Sequence, residues 1–267
     1  MITFLRIGEM GRLANQMFQF SATIGTARSI GLRPVFPVEN FHTNEPDSYS
    51  GCKLSDCFNI PSQYFLSRDE IIENVKFQYR EPNFRFDGNI GGIPDNTNIE
   101  GYFQSEKYFS NCREEIKSCF QFRENIINEA NEKFGWINFD DSVSVHVRRG
   151  DYINSPNHHP TQDVSYYRDS FSFYKGLRKI IFSDDPAWCE ENLSGMDNCY
   201  IVNEDNPYVT LYLMTQFKNH IISNSSFSWW GAWLSSDSPS VVSPKKWFGP
   251  LLPHNTDDLY PEGWNVI

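Results

Sequence analysis

SerValSerValHisValArgArgGlyAspTyr, residues 142–152, decides the fold class. Valines at 143, 145 and 147 alternate with Ser144, His146 and Arg148, the two-residue period of a strand. Downstream, LysIleIlePheSer (179–183) predicts a second strand, followed by AspAspPro and a helix over about 187–193. Tyr200–Asn203 predicts a third strand, with a helix from Pro207 to about Lys218. His220–Asn224 predicts a fourth, leading into an apolar helix over Phe227–Leu234, and Val241–Ser243 adds a fifth. Strands and helices alternating at this spacing imply a parallel, doubly wound sheet.

Upstream, Ile2–Ile7 reads as a strand, Gly8 and Gly11 as a turn, Asn15–Ile30 as a helix stopped by Gly31, and Leu32–Val38 as a returning strand. This is a βαβ opening. Residues 40–100 hold Pro46, Pro61, Pro82 and Pro94 and no sustained period, so loops and short elements are expected there. Ser105 to about Gly135 reads as mostly helical, with segments at Tyr108–Phe120 and Glu124–Phe134. Two sheets place a boundary near Phe139–Ser142, giving domains 1–141 and 142–267.

The chain has 267 residues, 23 basic against 34 acidic, and a net charge of −11, which argues against a protein held to nucleic acid by phosphate contacts. Charged residues at 21% without long like-charge blocks indicate a folded chain. No segment reaches the roughly 18 apolar residues of a membrane helix. The first residues, MetIleThrPheLeuArgIleGly, lack the features of a secretory signal. Six dispersed cysteines without Cys-x-x-Cys spacing predict reduced, buried thiols and no zinc site, hence a cytoplasmic protein.

In open α/β sheets, ligands bind beyond the carboxyl ends of strands. Three segments fall there: Gly8–Gln16, His146–Tyr152 and Asn224–Trp230. His146 and Arg148 share a strand face; a planar, always-charged guanidinium suits phosphate, and the imidazole adds a donor. Arg149 points away, toward a structural partner such as a carboxylate. The alternative is a salt-bridged strand end. AsnSerSerPheSerTrpTrp (224–230) brings hydroxyls and unpaired N–H groups to a helix start, an anion site that is equally a simple N-cap. Asp184-Asp185 lacks DxD spacing and reads as an N-cap for the helix after Pro186. His158-His159 has no third metal ligand and reads as a polar loop. GlyGluMetGlyArgLeuAlaAsnGln (8–16) is not GxGxxG, and the tryptophan cluster reads as core.

Taken together, GlyArgLeuAlaAsnGlnMetPheGlnPhe (11–20), HisValArgArgGlyAspTyr (146–152), PheSerAspAspPro with Trp188 (182–188), and the run from LeuTyrLeuMetThrGln through AsnSerSerPheSerTrpTrpGlyAlaTrpLeu (211–234) resemble the α-1,2-fucosyltransferase family, glycosyltransferase family 11, in its soluble bacterial form. The resemblance implies a GT-B-like architecture of two Rossmann-type domains whose parallel sheets face across a cleft, the first on the acceptor side and the second binding the GDP-sugar. It implies no metal and no cofactor, with GDP-β-L-fucose as donor substrate. The acceptor would be the 2-OH of a β-galactoside, giving an α-1,2 linkage, as in surface-antigen synthesis.

By the same resemblance, donor-binding residues are Gly11, Arg12, His146, Arg148, Asp184, Asp185, Asn224, Ser225, Ser226, Phe227 and Ser228. Arg148, Asn15 and Asp151 are the catalytic candidates: Arg148 for charge on the leaving β-phosphate, Asn15 at the reaction centre, and Asp151 as base or as a partner of Arg149. Thr210 stands where relatives often carry an Asp that reads guanine, which shifts that task to Glu204 or Asp205, or relaxes base selectivity. Two other readings stay open: a different GDP-sugar or linkage, and a non-catalytic carbohydrate-binding protein. Peripheral attachment to the inner membrane is compatible with the sequence.

Overall fold

The structure is a computed structural model that describes residues 1–41, 53–196 and 198–267. The chain divides into two units, Met1–Arg123 with His254–Pro261, and Glu124–Pro253 with Glu262–Ile267.

The first unit holds β1 (Ile2–Thr3), α1 (Leu13–Ser29), β2 (Pro34–Pro37), α2 (Leu54–Cys57), β3 (Phe65–Leu66), α3 (Arg68–Asn74), β4 (Phe77–Arg80), β5 (Thr97–Glu100) and α4 (Arg113–Cys119). Its five strands pair in the order β3-β2-β1-β5-β4, each pair parallel. The opening βαβ unit is present, though β1 stops at Thr3 rather than Ile7 and turns follow it. Helix α1 is buried almost all round, with Met17, Phe18, Phe20 and Ile24 excluded from solvent. Such a helix sits in a core rather than on a surface. Residues 40–100 contribute three strands, of which β4 is largely exposed and β5 carries one aliphatic residue, Ile99. Neither shows a period that sequence reading can catch. Residues 42–52, with Pro46 and Cys52, lie outside the described residues.

The second unit holds α5 (Glu124–Phe134), β6 (Ser142–Val147), α6 (Val164–Phe171), β7 (Arg178–Ser183), α7 (Pro186–Asn192), β8 (Cys199–Ile201), α8 (Pro207–Thr215), β9 (Asn219–Ile221), α9 (Ser226–Trp233), β10 (Ser240–Ser243) and β11 (Asn265–Val266). The order β11-β10-β9-β6-β7-β8 is parallel throughout, with β6 central and wholly buried. A strand buried on both faces needs helices on both faces. Val143, Val145, Val147, Tyr167, Ile181 and Ile221 form the core on one side. Each of the five predicted strands is present within two residues at its start. The sequence reading placed the domain junction at 141/142. The units divide at 123/124 instead, because α5 stays with the second unit: Lys133 on α5 pairs with Glu204 at 2.9 Å and Asn206 reaches Glu129 at 3.1 Å.

Among the described residues Cys57, Cys119 and Cys189 are free and buried, while Cys112 and Cys199 are half-buried. No described helix is long and apolar enough to cross a membrane.

Candidate active site

In the second unit the site is built at the carboxyl ends of β6, β7 and β9. His146 is the next-to-last residue of β6; it is 6% exposed, with Nδ1 at 2.8 Å from Ser223 Oγ. Burial, and then the neighbouring Arg148 charge, push its pKa down to about 3, so the ring is neutral near pH 7. Its ring lies 5.7 Å, centroid to centroid, from that of Phe227 on α9.

Arg148 follows the strand and is 21% exposed. One Nη lies 2.7 Å from Asp184 Oδ2 and the other donates to Asp151. Its guanidinium carbon stands 5.2 Å from the centre of the Tyr152 ring. A guanidinium has five N–H donors, so two carboxylates leave donors for a ligand. Arg149, just past the end of β6, turns elsewhere. Its Nε donates to Asp185 at 3.0 Å and its guanidinium covers Trp188 at 4.3 Å, while its N–H donates to Asp184 at 2.8 Å. Gly150 has no room for a side chain, since a Cβ there would stand 2.5 Å from Asp184 Oδ2.

The structure thus brings Asp184 and Asp185 to the two arginines. Asp185 also caps α7, accepting from Trp188 N–H at 3.1 Å. The capping expected of Asp185 is present.

Helix α9 supplies the other wall. Ser225 is its N-cap, accepting from Phe227 N–H at 3.3 Å. Ser228 is buried and donates to the carbonyls of Ser225 and Ser223. Asn224 is committed inward: its amide donates to Pro160 O (2.8 Å) and Trp247 O (3.0 Å), and its Oδ1 accepts from Gln162 (2.9 Å). It positions the loop before α9, and Tyr152 donates to its carbonyl at 3.2 Å. Ser226 and Phe227 open the helix; Trp229, Trp230 and Trp233 are core, as expected. The first turn of α9 directs N–H dipoles outward beside His146, which suits an anion.

Gly11, Arg12 and Asn15 lie in the first unit. Gly11 has φ +80°, and a side chain there would collide with Asn15. Gln16 and Gln19 donate to the carbonyls of Gly11 and Met10 at 3.1 and 3.0 Å, fixing the turn before α1. Asn15 Oδ1 accepts from Gln104 at 2.8 Å, and Arg12 is exposed where α1 begins. Gln104 follows a strained turn with Phe103 at φ +50°. Glu81 holds that turn by accepting from Tyr102 and Phe103 N–H, and burial pushes its pKa up to about 7.

Near α8, Glu204 accepts from Asn206 N–H (2.8 Å) and pairs with Lys133, so it is already engaged; Asp205 is exposed and Thr210 half-buried. His159 stacks on Tyr152 at 4.9 Å. No group of three or more metal-binding side chains occurs among the described residues. Sequence reading missed Ser223, Tyr152, Gln104 and Glu81 as parts of these arrangements. Tyr152 closes the 146–152 motif and Ser223 directly precedes the 224–230 one, though sequence reading gives neither a role, whereas Gln104 and Glu81 have no signal before the fold is known.

The profile described as Glycosyl transferase family 11 matches residues 3–267. This chain belongs to glycosyl transferase family 11. An α-1,2-colitosyltransferase of Escherichia coli is 31% identical, over 95% of each chain. The galactoside α-(1,2)-fucosyltransferase 2 of Bos taurus is 24% identical over 93% of this chain and 81% of its own. Among solved structures, the NodZ α-1,6-fucosyltransferase soaked with GDP-fucose shares the fold, with TM-score 0.55, 12% identity and coverage of 91% and 94%. As a family 11 glycosyltransferase the protein is an enzyme, which removes the non-catalytic sugar-binding alternative.

Proposed function

We propose that the protein transfers L-fucose from GDP-β-L-fucose to the 2-OH of a β-galactoside, forming an α-1,2 linkage with inversion. The second unit is the donor-binding half of a GT-B-like pair and the first its acceptor half. The observation that carries the reading is Arg148, held by Asp184 and Asp151, beside a neutral His146 and the start of α9.

As the sugar departs, negative charge grows on the β-phosphate. A guanidinium fixed before the reaction, with the α9 N–H groups and the Ser225 and Ser226 hydroxyls, stabilises that charge without reorganising. His146 offers a neutral donor rather than a second cation. The anomeric carbon becomes oxocarbenium-like as its bond to the β-phosphate oxygen breaks, the acceptor oxygen bonds to it from the opposite face, and the hydroxyl proton is released with GDP. Asp151 orients Arg148 here, and Asn15, held by Gln104, orients the reacting sugar.

The colitosyl relative, at 31% identity against 24% for the fucosyl one, favours a second reading: the same linkage with another activated sugar. Offering GDP-fucose and GDP-activated colitose side by side, with and without a β-galactoside, tests both. The fucosyl reading requires acceptor-dependent GDP release from GDP-fucose and a product whose NMR spectrum shows an α-1,2 bond. Release from the colitosyl donor alone overturns it.

A further inference from the structure

We infer that Ser223 sets the tautomer of His146, making it a neutral ring with its proton on Nε2. Ser223 follows β9 by two residues, is fully buried, and its Oγ sits 2.8 Å from His146 Nδ1. Two arrangements of protons fit that distance. If Nδ1–H donates, the serine hydrogen is left buried without an acceptor, since this hydroxyl makes no further hydrogen bond among the described residues. If the hydroxyl donates, both atoms are satisfied and the ring proton moves to Nε2.

The second arrangement satisfies the buried serine hydrogen and puts the ring's donor on Nε2, which is not among the described side-chain atoms buried without a partner; buried donors are seldom orphaned. The neighbouring serines do not compete for the hydroxyl: Ser225 N–H and Ser228 Oγ donate to the Ser223 carbonyl instead. A ring so fixed presents N–H from the strand that leads into Arg148. Its use for a pyrophosphate oxygen rests on the function proposed above. Ser223 is then a positioning residue that acts through His146.

Uniformly 15N-labelled protein in two-bond 1H–15N correlation spectra reads the tautomer directly, with His146 assigned by its loss in His146→Gln. His220 supplies an internal standard: it is buried, and its Nε2 faces the Phe217 carbonyl at 3.1 Å, an acceptor only, which requires Nε2–H. We expect the same Nε2–H pattern for His146 in the wild type. In Ser223→Ala the pattern shifts toward Nδ1–H or a mixture while His220 is unchanged, and Ser223→Thr restores it. In the transfer assay Ser223→Ala lowers kcat about tenfold with the acceptor KM unchanged, and threonine recovers the loss. A wild-type His146 protonated at Nδ1, or a tautomer indifferent to Ser223→Ala, overturns the inference. The spectra need no substrate. Failure of every donor to react in the wild type would therefore sink the functional reading and leave this one standing.

Discussion

Arg148 stands between two carboxylates, which is unusual company for the proposed phosphate ligand, and the arrangement has consequences for each residue in it. The carboxylates hold the fork in place, and a lysine cannot reproduce that fork. Arg148→Lys should therefore behave much like Arg148→Ala, both losing about 10²–10³ in kcat while melting within a few degrees of the wild type. Activity in the lysine variant above a tenth of normal would show that charge alone suffices. Asp151→Asn separates orientation from proton transfer. We expect a several-fold rise in donor KM with the pH profile unchanged; loss of kcat together with one limb of the profile would make Asp151 the base. Gly150→Ala forces a methyl against Asp184, whose other contacts prevent easy retreat. Donor affinity should fall at least fivefold in a protein that still folds, as judged by calorimetric titration and circular dichroism.

Helices α7 and α9 show how an element serves the site from its end. Asp185 fastens α7 twice, through its cap to Trp188 N–H and its pair with Arg149, and Pro186 occupies the first turn, where its missing N–H costs nothing. Asp185→Ala removes cap and partner together, and denaturant unfolding should show a loss of about 1–2 kcal/mol. Asp185→Asn keeps the cap and should lose clearly less; equal losses would mean that the ion pair, not the cap, holds the helix. These elements were readable because the sequence around them is regular: the alternation of 142–148, the helix start at Asp185-Pro186, and the apolar run after Ser226. The strands at 77–80 and 97–100 were not readable. Four-residue edge or near-edge strands with polar side chains gain their structure from pairing with neighbours rather than from a period of their own. The site divides the same way. The place of His146 follows from strand alternation, and Arg148 and Arg149, just past the end of β6, part as that alternation predicts. The inward turn of Asn224 and the hold of Glu81 on Phe103 depend on contacts between segments far apart in sequence.

At the scale of the whole molecule, two buried histidines contribute to the response to acid. Burial pushes the pKa values of His146 and His220 down to about 3. Below their ordinary value of 6.5 the unfolded chain binds protons that the folded chain refuses. Their contribution is complete above about pH 6.5 and drains as the pH falls toward 3. Imidazole NMR should show neither ring titrating between pH 5.5 and 8, and a normal titration of either would refute its burial as a neutral group. The same neutrality leaves Arg148 as the fixed positive charge of the proposed pyrophosphate site, and that assignment is best tested by comparing nucleotides that differ by one phosphate. Calorimetric titration of GDP and GMP into the wild type and Arg148→Ala isolates the β-phosphate. The wild type should prefer GDP by about tenfold or more, roughly 1.4 kcal/mol. In Arg148→Ala the two nucleotides should bind nearly alike. A preference for GDP that survives the substitution undiminished would contradict the account.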